Sequence, residues 1–209
     1  MEQSGHYHTV LFDFDGVLSH DYFYKKTLVP GYPKVYDWIQ SNVFLNKNLL
    51  RDWMRNRVDS DHINRLCASN NQIEFEKLSG LFEDSVRQME LDQRVLNLAR
   101  QLKALGYQIG IVTNNMNVFS KILVPLHHLD AIFHVIVNSS DYGLLKMDEN
   151  GRLFDFTLEK LNARIEDALL IDDSIPNVEL FKQKGGHGLK FQNFEQLTDC
   201  LKAASSTII

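Results

Sequence analysis

Two aspartates separated by a single residue, Asp13 and Asp15, follow an apolar run near the start of the chain. Residues 10–12 are typical of a buried strand, and Gly16 comes directly after the second acid. Because alternate residues of a strand point to the same side, the two carboxylates share a face where the strand ends. Like charges this close repel each other unless a cation, a proton or a lysine offsets them. The pair therefore predicts a site for a divalent cation with oxygen ligands, and Mg²⁺ fits best.

The same Asp-x-Asp-Gly sequence is also typical of a simple turn, since aspartate and glycine favour turns for backbone reasons. Taken alone, the stretch does not separate these two interpretations. The metal-site interpretation requires further reactive side chains elsewhere in the chain, placed where the fold brings them to the same point.

Composition limits the classes of protein and partner. The 209 residues, 44% of them hydrophobic, are enough for one sizeable domain or for a core with a smaller insertion. A net charge of −5 gives no electrostatic reason to expect binding to nucleic acid or to an acidic membrane. The chain has two cysteines, no secretory signal and no apolar run of about 18 residues, so we expect free thiols and a cytoplasmic location.

Two segments differ in their hydrophobic pattern. Residues 19–89 carry apolar side chains at helical spacing, as at Leu49, Leu50, Trp53 and Met54, which predicts short helices. After residue 92, helices and strands alternate, with strands predicted at 107–113, 132–137, 168–171 and 187–191 after a first strand at 9–15. This alternation predicts an α/β fold with a doubly wound, Rossmann-like parallel sheet.

Polar residues follow several of the predicted strands. In open parallel sheets, ligands bind outside the carboxyl ends of the strands. The residues that fall there are Asp13 and Asp15 after strand one, Thr113 and Asn114 after strand two, Lys146 beyond strand three, and Asp172 and Asp173 after strand four. Acids, a hydroxyl and a lysine at one edge favour a reactive site over a set of unrelated loops.

These residues also carry a resemblance to a known family. The stretches Asp13-Phe-Asp-Gly-Val-Leu, Ile111-Val-Thr-Asn-Asn, Lys146 and Leu170-Ile-Asp-Asp-Ser-Ile-Pro-Asn resemble, in this order, the four motifs of the haloacid dehalogenase-like (HAD) hydrolase superfamily. The resemblance implies a core domain made of residues 1–18 and 90–209. It also implies that residues 19–89 form an inserted helical cap domain.

The resemblance implies a role for each motif residue. Asp13 would be the nucleophile that attacks phosphorus and forms an aspartyl-phosphate. Asp15 would protonate the leaving oxygen and later deprotonate the attacking water. Thr113 and Asn114 would hydrogen-bond the phosphate oxygens, and Lys146 would neutralise charge.

The resemblance also implies a Mg²⁺ site formed by Asp13, Asp15, Asp173 and Asp172. Two positions depart from the usual motifs. Asn177 lies where a further aspartate is common, and it brings no charge. Lys146 is followed by methionine, where relatives often have proline. Purely structural roles stay open, namely a turn cap for Thr113, a surface position for Lys146 and a helix N-terminal acid for Asp172.

The implied activity is that of a Mg²⁺-dependent phosphatase acting on a small phosphorylated metabolite, as a monomer or homodimer. Gly16 is an expected substrate-binding residue, because glycine lets the backbone approach a ligand closely. His20 is another, with Tyr22 and Phe23 as further candidates, because cap residues near the first motif commonly face the substrate in this architecture. A phosphomutase and a non-catalytic relative that binds a phospho-ligand or a partner protein are alternatives. A dehalogenase is disfavoured, because that reaction needs no acid at Asp15.

Overall fold

A five-stranded parallel sheet forms the centre of the computed structural model, which describes residues 7–204. Its strands are Thr9–Phe12 (β1), Gln108–Thr113 (β2), Val135–Asn138 (β3), Ala168–Asp172 (β4) and His187–Lys190 (β5). Their order across the sheet is β3-β2-β1-β4-β5, so β1 is central and pairs with both β2 and β4. The predicted doubly wound α/β fold is therefore confirmed.

Both faces of the sheet are covered, which explains why its strands are apolar almost throughout. Val10 and Phe12 belong to the hydrophobic cluster on one face, whereas Leu11 packs in a second cluster on the other face with Val112 and Phe154. A strand buried on both sides needs apolar residues at every position, whereas one-sided burial would give an alternating pattern.

Twelve α-helices lie within the described residues. The sheet is accompanied by Gln93–Ala104 (α6), Val124–Leu126 (α7), Leu129–Ile132 (α8), Ser139–Tyr142 (α9), Arg152–Leu161 (α10), Ile175–Gln183 (α11) and Phe194–Ala204 (α12). The segment before α6 contains Lys25–Leu28 (α1), Pro33–Ile39 (α2), Lys47–Met54 (α3), Ser60–Asn71 (α4) and Phe75–Arg87 (α5). Short 3₁₀ and π-helical turns join some of these elements.

The helices α1–α5 pack around a cluster of aromatic side chains. The rings of Tyr24 and Phe82 have centroids 4.7 Å apart, and those of Trp53 and Phe82 are 5.8 Å apart. All three side chains are almost fully buried. The predicted helical character of this segment is thus present, and its division from the sheet as a separate cap domain stays a prediction.

The two chain crossings between the helical segment and the sheet lie side by side. Asp21 accepts a hydrogen bond from the backbone N–H of Glu90 at 2.7 Å, and Lys26 lies 2.7 Å from Asp21. Ser19 donates its hydroxyl to the Glu90 carbonyl at 2.9 Å. Side-chain hydrogen bonds therefore fix the place where the chain leaves the sheet and returns to it.

Some predicted boundaries differ from the structure. The first strand ends at Phe12 and not at residue 15, because the N–H groups of Leu18 and Ser19 both turn back to the carbonyl of Phe14. The third strand begins at Val135, since residues 129–132 form α8. The predicted tail at 205–209 lies outside the described residues. Among residues 7–204, no helix has both the length and the hydrophobicity that crossing a lipid bilayer requires.

Candidate active site

Lys146 lies at the centre of the charged residues at the carboxyl edge of the sheet. Its ammonium group is fully buried and lies 2.7 Å from Asp13 Oδ1 and 2.7 Å from Asp172 Oδ2. A buried ammonium group is stable only where carboxylates compensate the loss of water. The lysine that the sequence placed in the loop after β3 is therefore brought to the two strand-end acids, and it is not a surface lysine.

Of the two carboxylates that contact Lys146, Asp172 is the more deeply buried and accepts more hydrogen bonds. It ends β4, is fully buried, and accepts hydrogen bonds from the Asn177 amide at 3.0 and 3.1 Å and from the Ser174 N–H at 2.8 Å. The neutral Asn177 thus donates to Asp172. These contacts favour a role for Asp172 in holding Lys146, in addition to its predicted place near a metal ion.

Three carboxylates lie close enough together to bind one cation. Oxygen atoms of Asp13, Asp172 and Asp173 are within 4.8 Å of one another, and Asp15 is not part of this group. Gly16 makes the approach of Asp173 possible, because a Cβ atom on Gly16 would lie 2.4 Å from Asp173 Oδ2. The φ angle of +77° at Gly16 also favours glycine. Carboxylate oxygens at this spacing are suitable ligands for Mg²⁺.

Asp15 points toward a different partner. Its Oδ2 accepts a hydrogen bond from the side-chain amide of Asn115 at 3.0 Å. The backbone N–H of Asn115 in turn donates to the Ser139 hydroxyl at 3.0 Å. The Asp15 carboxylate is thus separate from the three acids that could bind a cation, and the Asn115 amide orients it. This arrangement suits a side chain that exchanges protons.

The end of β2 brings Thr113 and Asn114 to the same edge. The Thr113 hydroxyl is buried and has no hydrogen-bond partner within residues 7–204. Asn114 accepts a hydrogen bond from the backbone N–H of Lys146 at 2.8 Å and lines the cavity described below. A buried hydroxyl without a partner costs free energy, so a ligand oxygen at Thr113 would remove that cost.

A cavity of about 1210 Å³ opens above these residues. Asp13, Asp15 and Asp173 lie on the sheet side of its wall, and Met54 and Arg55 lie on the helical side. The predicted substrate-binding residues Gly16 and His20 also line it, with the exposed His20 ring stacked on Phe191 at 6.4 Å. The space is far larger than a phosphate group needs, so it has room for an organic group.

The burial of so many charges changes their proton affinities. Burial raises the pKa of Asp13 to about 7, and Asp172 adds to the shift while Lys146 opposes it. Burial, followed by the charge of Asp13, raises the pKa of Asp15 to about 7. Burial lowers the pKa of Lys146, but the two adjacent carboxylates outweigh it and leave that pKa above its ordinary value. One lysine among these acids leaves negative charge that a divalent cation would offset.

Two features of the site were absent from the sequence-based prediction. Asn115 has no predicted role beyond its place in the second motif, although its amide donates to Asp15. The ion pair of Arg55 with Asp148, at 2.7 Å, was not predicted because the two residues are 93 positions apart. Of these two features, only Asn115 could have been predicted, because the second of two asparagines at the end of a strand is also a candidate site residue.

Known proteins resemble this chain in sequence and in fold. The pyrophosphatase PpaX of Bacillus cereus (strain B4264) is 26% identical over 171 residues, which cover 79% of this chain and 74% of PpaX. The predicted HAD-like family hydrolase of Porphyromonas gingivalis superposes with a TM-score of 0.74 at 18% identity, over 95% of this chain and 99% of that one. A HAD family enzyme of Bacteroides thetaiotaomicron, in complex with magnesium and inorganic phosphate, superposes with a TM-score of 0.67 at 13% identity. The superposition covers 91% of this chain and 98% of that one.

The model of the haloacid dehalogenase-like hydrolase family matches residues 7–185. The match begins before β1 and ends after α11, so it includes all four strand-end groups described above. It agrees with the resemblance carried by the four motifs, and the predicted family is confirmed. The chain is a hydrolase of the haloacid dehalogenase-like family.

Proposed function

We propose that the protein is a Mg²⁺-dependent phosphatase that hydrolyses a small phosphorylated compound through an aspartyl-phosphate on Asp13. The observation that carries this proposal is the fully buried Lys146 ammonium group, 2.7 Å from Asp13 and 2.7 Å from Asp172, beside an open cavity. Such a group compensates the charge of a carboxylate nucleophile and of the phosphate that approaches it.

Two of the relatives support phosphate chemistry. PpaX is a pyrophosphatase, and the B. thetaiotaomicron enzyme forms a complex with magnesium and inorganic phosphate. Both names are consistent with a phosphoryl group as the reacting part of the substrate. Neither defines the organic group, so we leave the substrate as a small phosphorylated compound, with pyrophosphate among those to be tested.

The residues present fit a Mg²⁺ ion. Asp13, Asp173 and Asp172 offer oxygen atoms within 4.8 Å of one another, and the absent side chain of Gly16 leaves the room that Asp173 occupies. When bound, Mg²⁺ offsets the negative charge of the carboxylates and of the substrate phosphate. In this assignment Asp13 and Asp173 are the principal ligands, because both carboxylate oxygens of Asp172 already accept hydrogen bonds, whereas Lys146 and the Phe14 N–H contact only Oδ1 of Asp13.

The side chains divide the reaction between them. Asp13 Oδ1 is fixed by the Phe14 N–H and by Lys146, each at 2.7 Å, which leaves Oδ2 to attack phosphorus. The new oxygen–phosphorus bond forms as the bond to the leaving oxygen breaks, and Asp15 gives that oxygen a proton. Asp15 then takes a proton from the water that hydrolyses the aspartyl-phosphate.

Donors at the end of β2 would hold the transferred phosphoryl group. Thr113 has a buried hydroxyl without a partner, and the Asn114 amide lies at the cavity wall. We further propose that residues 19–89 act as a cap that closes over the cavity, with His20 and Gly16 facing the substrate. A closed cap keeps bulk water from the first step of the reaction.

The test is hydrolysis of p-nitrophenyl phosphate, measured as release of inorganic phosphate with Mg²⁺ and after its removal with EDTA. We expect Asp13→Asn to lose at least about 10³-fold in rate, because an amide oxygen is a poor nucleophile. Asp130→Asn, at an exposed acid outside the cavity, is the matched control and should keep the full rate. Full activity of Asp13→Asn would refute the nucleophile assignment.

A panel of phosphorylated compounds, including pyrophosphate, then identifies the substrate. A phosphatase is expected to release one inorganic phosphate for each phosphomonoester consumed and two for each pyrophosphate. A phosphomutase would instead keep the phosphoryl group on an organic product, so the phosphate yield separates these two family activities.

A further inference from the structure

The residue that follows α3 joins the helical segment to the loop that carries Lys146. Arg55 donates from Nε to Asp148 Oδ2 at 2.7 Å and from Nη2 to Asp148 Oδ1 at 2.7 Å. The two side chains are only 15% and 25% exposed. A two-pronged contact of this kind fixes both distance and orientation, which a single contact of a flexible lysine does not.

Asp148 in turn holds the backbone next to Lys146. Its Oδ2 accepts a hydrogen bond from the N–H of Leu145 at 2.9 Å. The following N–H, that of Lys146 itself, donates to Asn114 Oδ1 at 2.8 Å. Two successive N–H groups thus each have a fixed partner, the first in Asp148 and the second at the end of β2.

The loop beyond Lys146 has a backbone that needs such support. Glu149, Asn150 and Gly151 follow one another with φ angles of 48°, 55° and 83°. The left-handed region is unfavourable for residues other than glycine, and two of these three are not glycine. Because local preference does not hold this turn, contacts from outside it must do so.

The same end of α3 reaches the other half of the site. The Ser139 hydroxyl donates to the Met54 carbonyl at 2.7 Å. That hydroxyl also accepts the N–H of Asn115, whose side chain binds Asp15. The end of α3 therefore contacts the lysine loop through Arg55, and it is linked through Ser139 to Asn115, the residue that holds Asp15.

We propose that Arg55 and Asp148 are positioning residues, whose ion pair sets the place of Lys146 beside Asp13 from the helical side of the cavity. The expected effect of this ion pair on the reaction rate rests on the proposed phosphatase function, whereas its effect on the position of Lys146 does not. Without the pair, the loop loosens and the ammonium group leaves its place near Asp13 for part of the time. Since Lys146 would act on charge that develops during phosphoryl transfer, the loss should fall on kcat more than on KM.

The experiment compares Arg55→Ala, Asp148→Ala and the double variant. Each should lower kcat by about 10- to 100-fold with KM within about threefold. The double variant should lose no more than either single one, because the pair acts as a unit. Arg55→Lys keeps the charge without the planar fork, so it should recover only part of the rate. Arg87→Ala, at an exposed pair with Glu83 on α5, is the matched control.

Amide hydrogen exchange provides a measurement that needs no substrate. In Arg55→Ala we expect faster exchange at residues 144–148, with exchange in β1 and β4 close to that of wild type. The melting temperature should fall by only about 2–4 °C, the shift that the loss of one partly exposed ion pair gives in a chain of this size. Unchanged exchange at 144–148 would overturn the proposal. Additive losses of kcat in the double variant would also overturn it. Failure of the phosphatase proposal would appear separately, as a wild-type protein without phosphate release.

Discussion

The carboxyl edge of the sheet and the helical segment 19–89 enclose the same cavity but are built in different ways. At the sheet edge, each reactive side chain is within a few residues of a buried strand or in a loop tied to one, and Lys146 is completely enclosed. The helical side lines the cavity from several short elements, among them Gln40 and Phe44 before α3 and Met54 and Arg55 at its end. Its own core is an aromatic cluster around Phe82.

The two regions differ in how firmly their side chains are held: the sheet edge carries the reactive groups, and the helical segment shapes the space around them. Strand ends are fixed by the hydrogen bonds of the sheet on both sides, so they can hold like charges at close range. The helical segment is tied to the sheet by side-chain contacts, which break individually. Changes at the sheet edge should therefore abolish the reaction, and changes on the helical side should reduce it by degrees.

The largest effect should come from Lys146→Met. Removing the ammonium group leaves two buried carboxylates without compensation, which costs about 3–5 kcal/mol of unfolding free energy. Phosphatase activity should fall by at least about 10³-fold. Urea unfolding and phosphate release measure the two losses. The double variant Lys146→Met with Asp172→Asn should be more stable than the single one, and equal stability would contradict the pairing.

Gly16→Ala should be the next most damaging change. The added Cβ would lie 2.4 Å from Asp173 Oδ2, on a backbone with φ of +77°. We expect Asp173 to move and the apparent affinity for Mg²⁺ to fall by about 10- to 100-fold, measured by titrating activity with Mg²⁺. Gly106→Ala is the matched control, because Gly106 has a φ of +89° and open space around it. An equal loss of Mg²⁺ affinity in both variants would point to backbone strain alone.

Asn115→Ala tests the hydrogen bond that holds Asp15 in place. It removes the amide that donates to Asp15 at 3.0 Å, so we expect about 1 kcal/mol lower stability and about a tenfold lower kcat. Asn42→Ala removes an exposed amide bonded within the helical segment and should leave kcat unchanged. The assignment of Asn115 would fail if its variant matched this control.

The smallest effect concerns the pH dependence of the Arg55–Asp148 pair. The hydrogen bond from Arg55 lowers the pKa of Asp148 below its ordinary 3.8, although burial opposes the shift. The stabilisation is thus complete above the ordinary pKa and is lost as the pH falls through the lower, folded value. Arg55→Ala should cost about 1 kcal/mol at pH 7 and less at pH 3, as measured by urea unfolding. A cost that is independent of pH would show that packing, and not charge, dominates.

Prediction from the sequence succeeded best where the signal was local. The apolar run before Asp13 and the alternation after residue 92 identified the sheet, because burial on both faces leaves strands of unbroken hydrophobicity. The boundaries were less accurate, as at the first strand, which ends at Phe12 although the apolar pattern continues to Phe14. The Asp-x-Asp-Gly sequence is typical of a turn, but it does not indicate that the turn begins at Phe14, whose carbonyl accepts the backbone hydrogen bonds.

The sequence by itself determined the fold class, the family and which acids, hydroxyl and lysine lie at the edge of the sheet, because strand ends converge there in any parallel sheet. Only the tertiary structure decided which of these side chains touch. It paired Lys146 with Asp172 as well as Asp13, gave Asp15 an amide partner, and set Asp173 in the space left by Gly16. It also brought Arg55 to Asp148 across 93 positions, since such contacts depend on how helices pack in space and not on any local pattern.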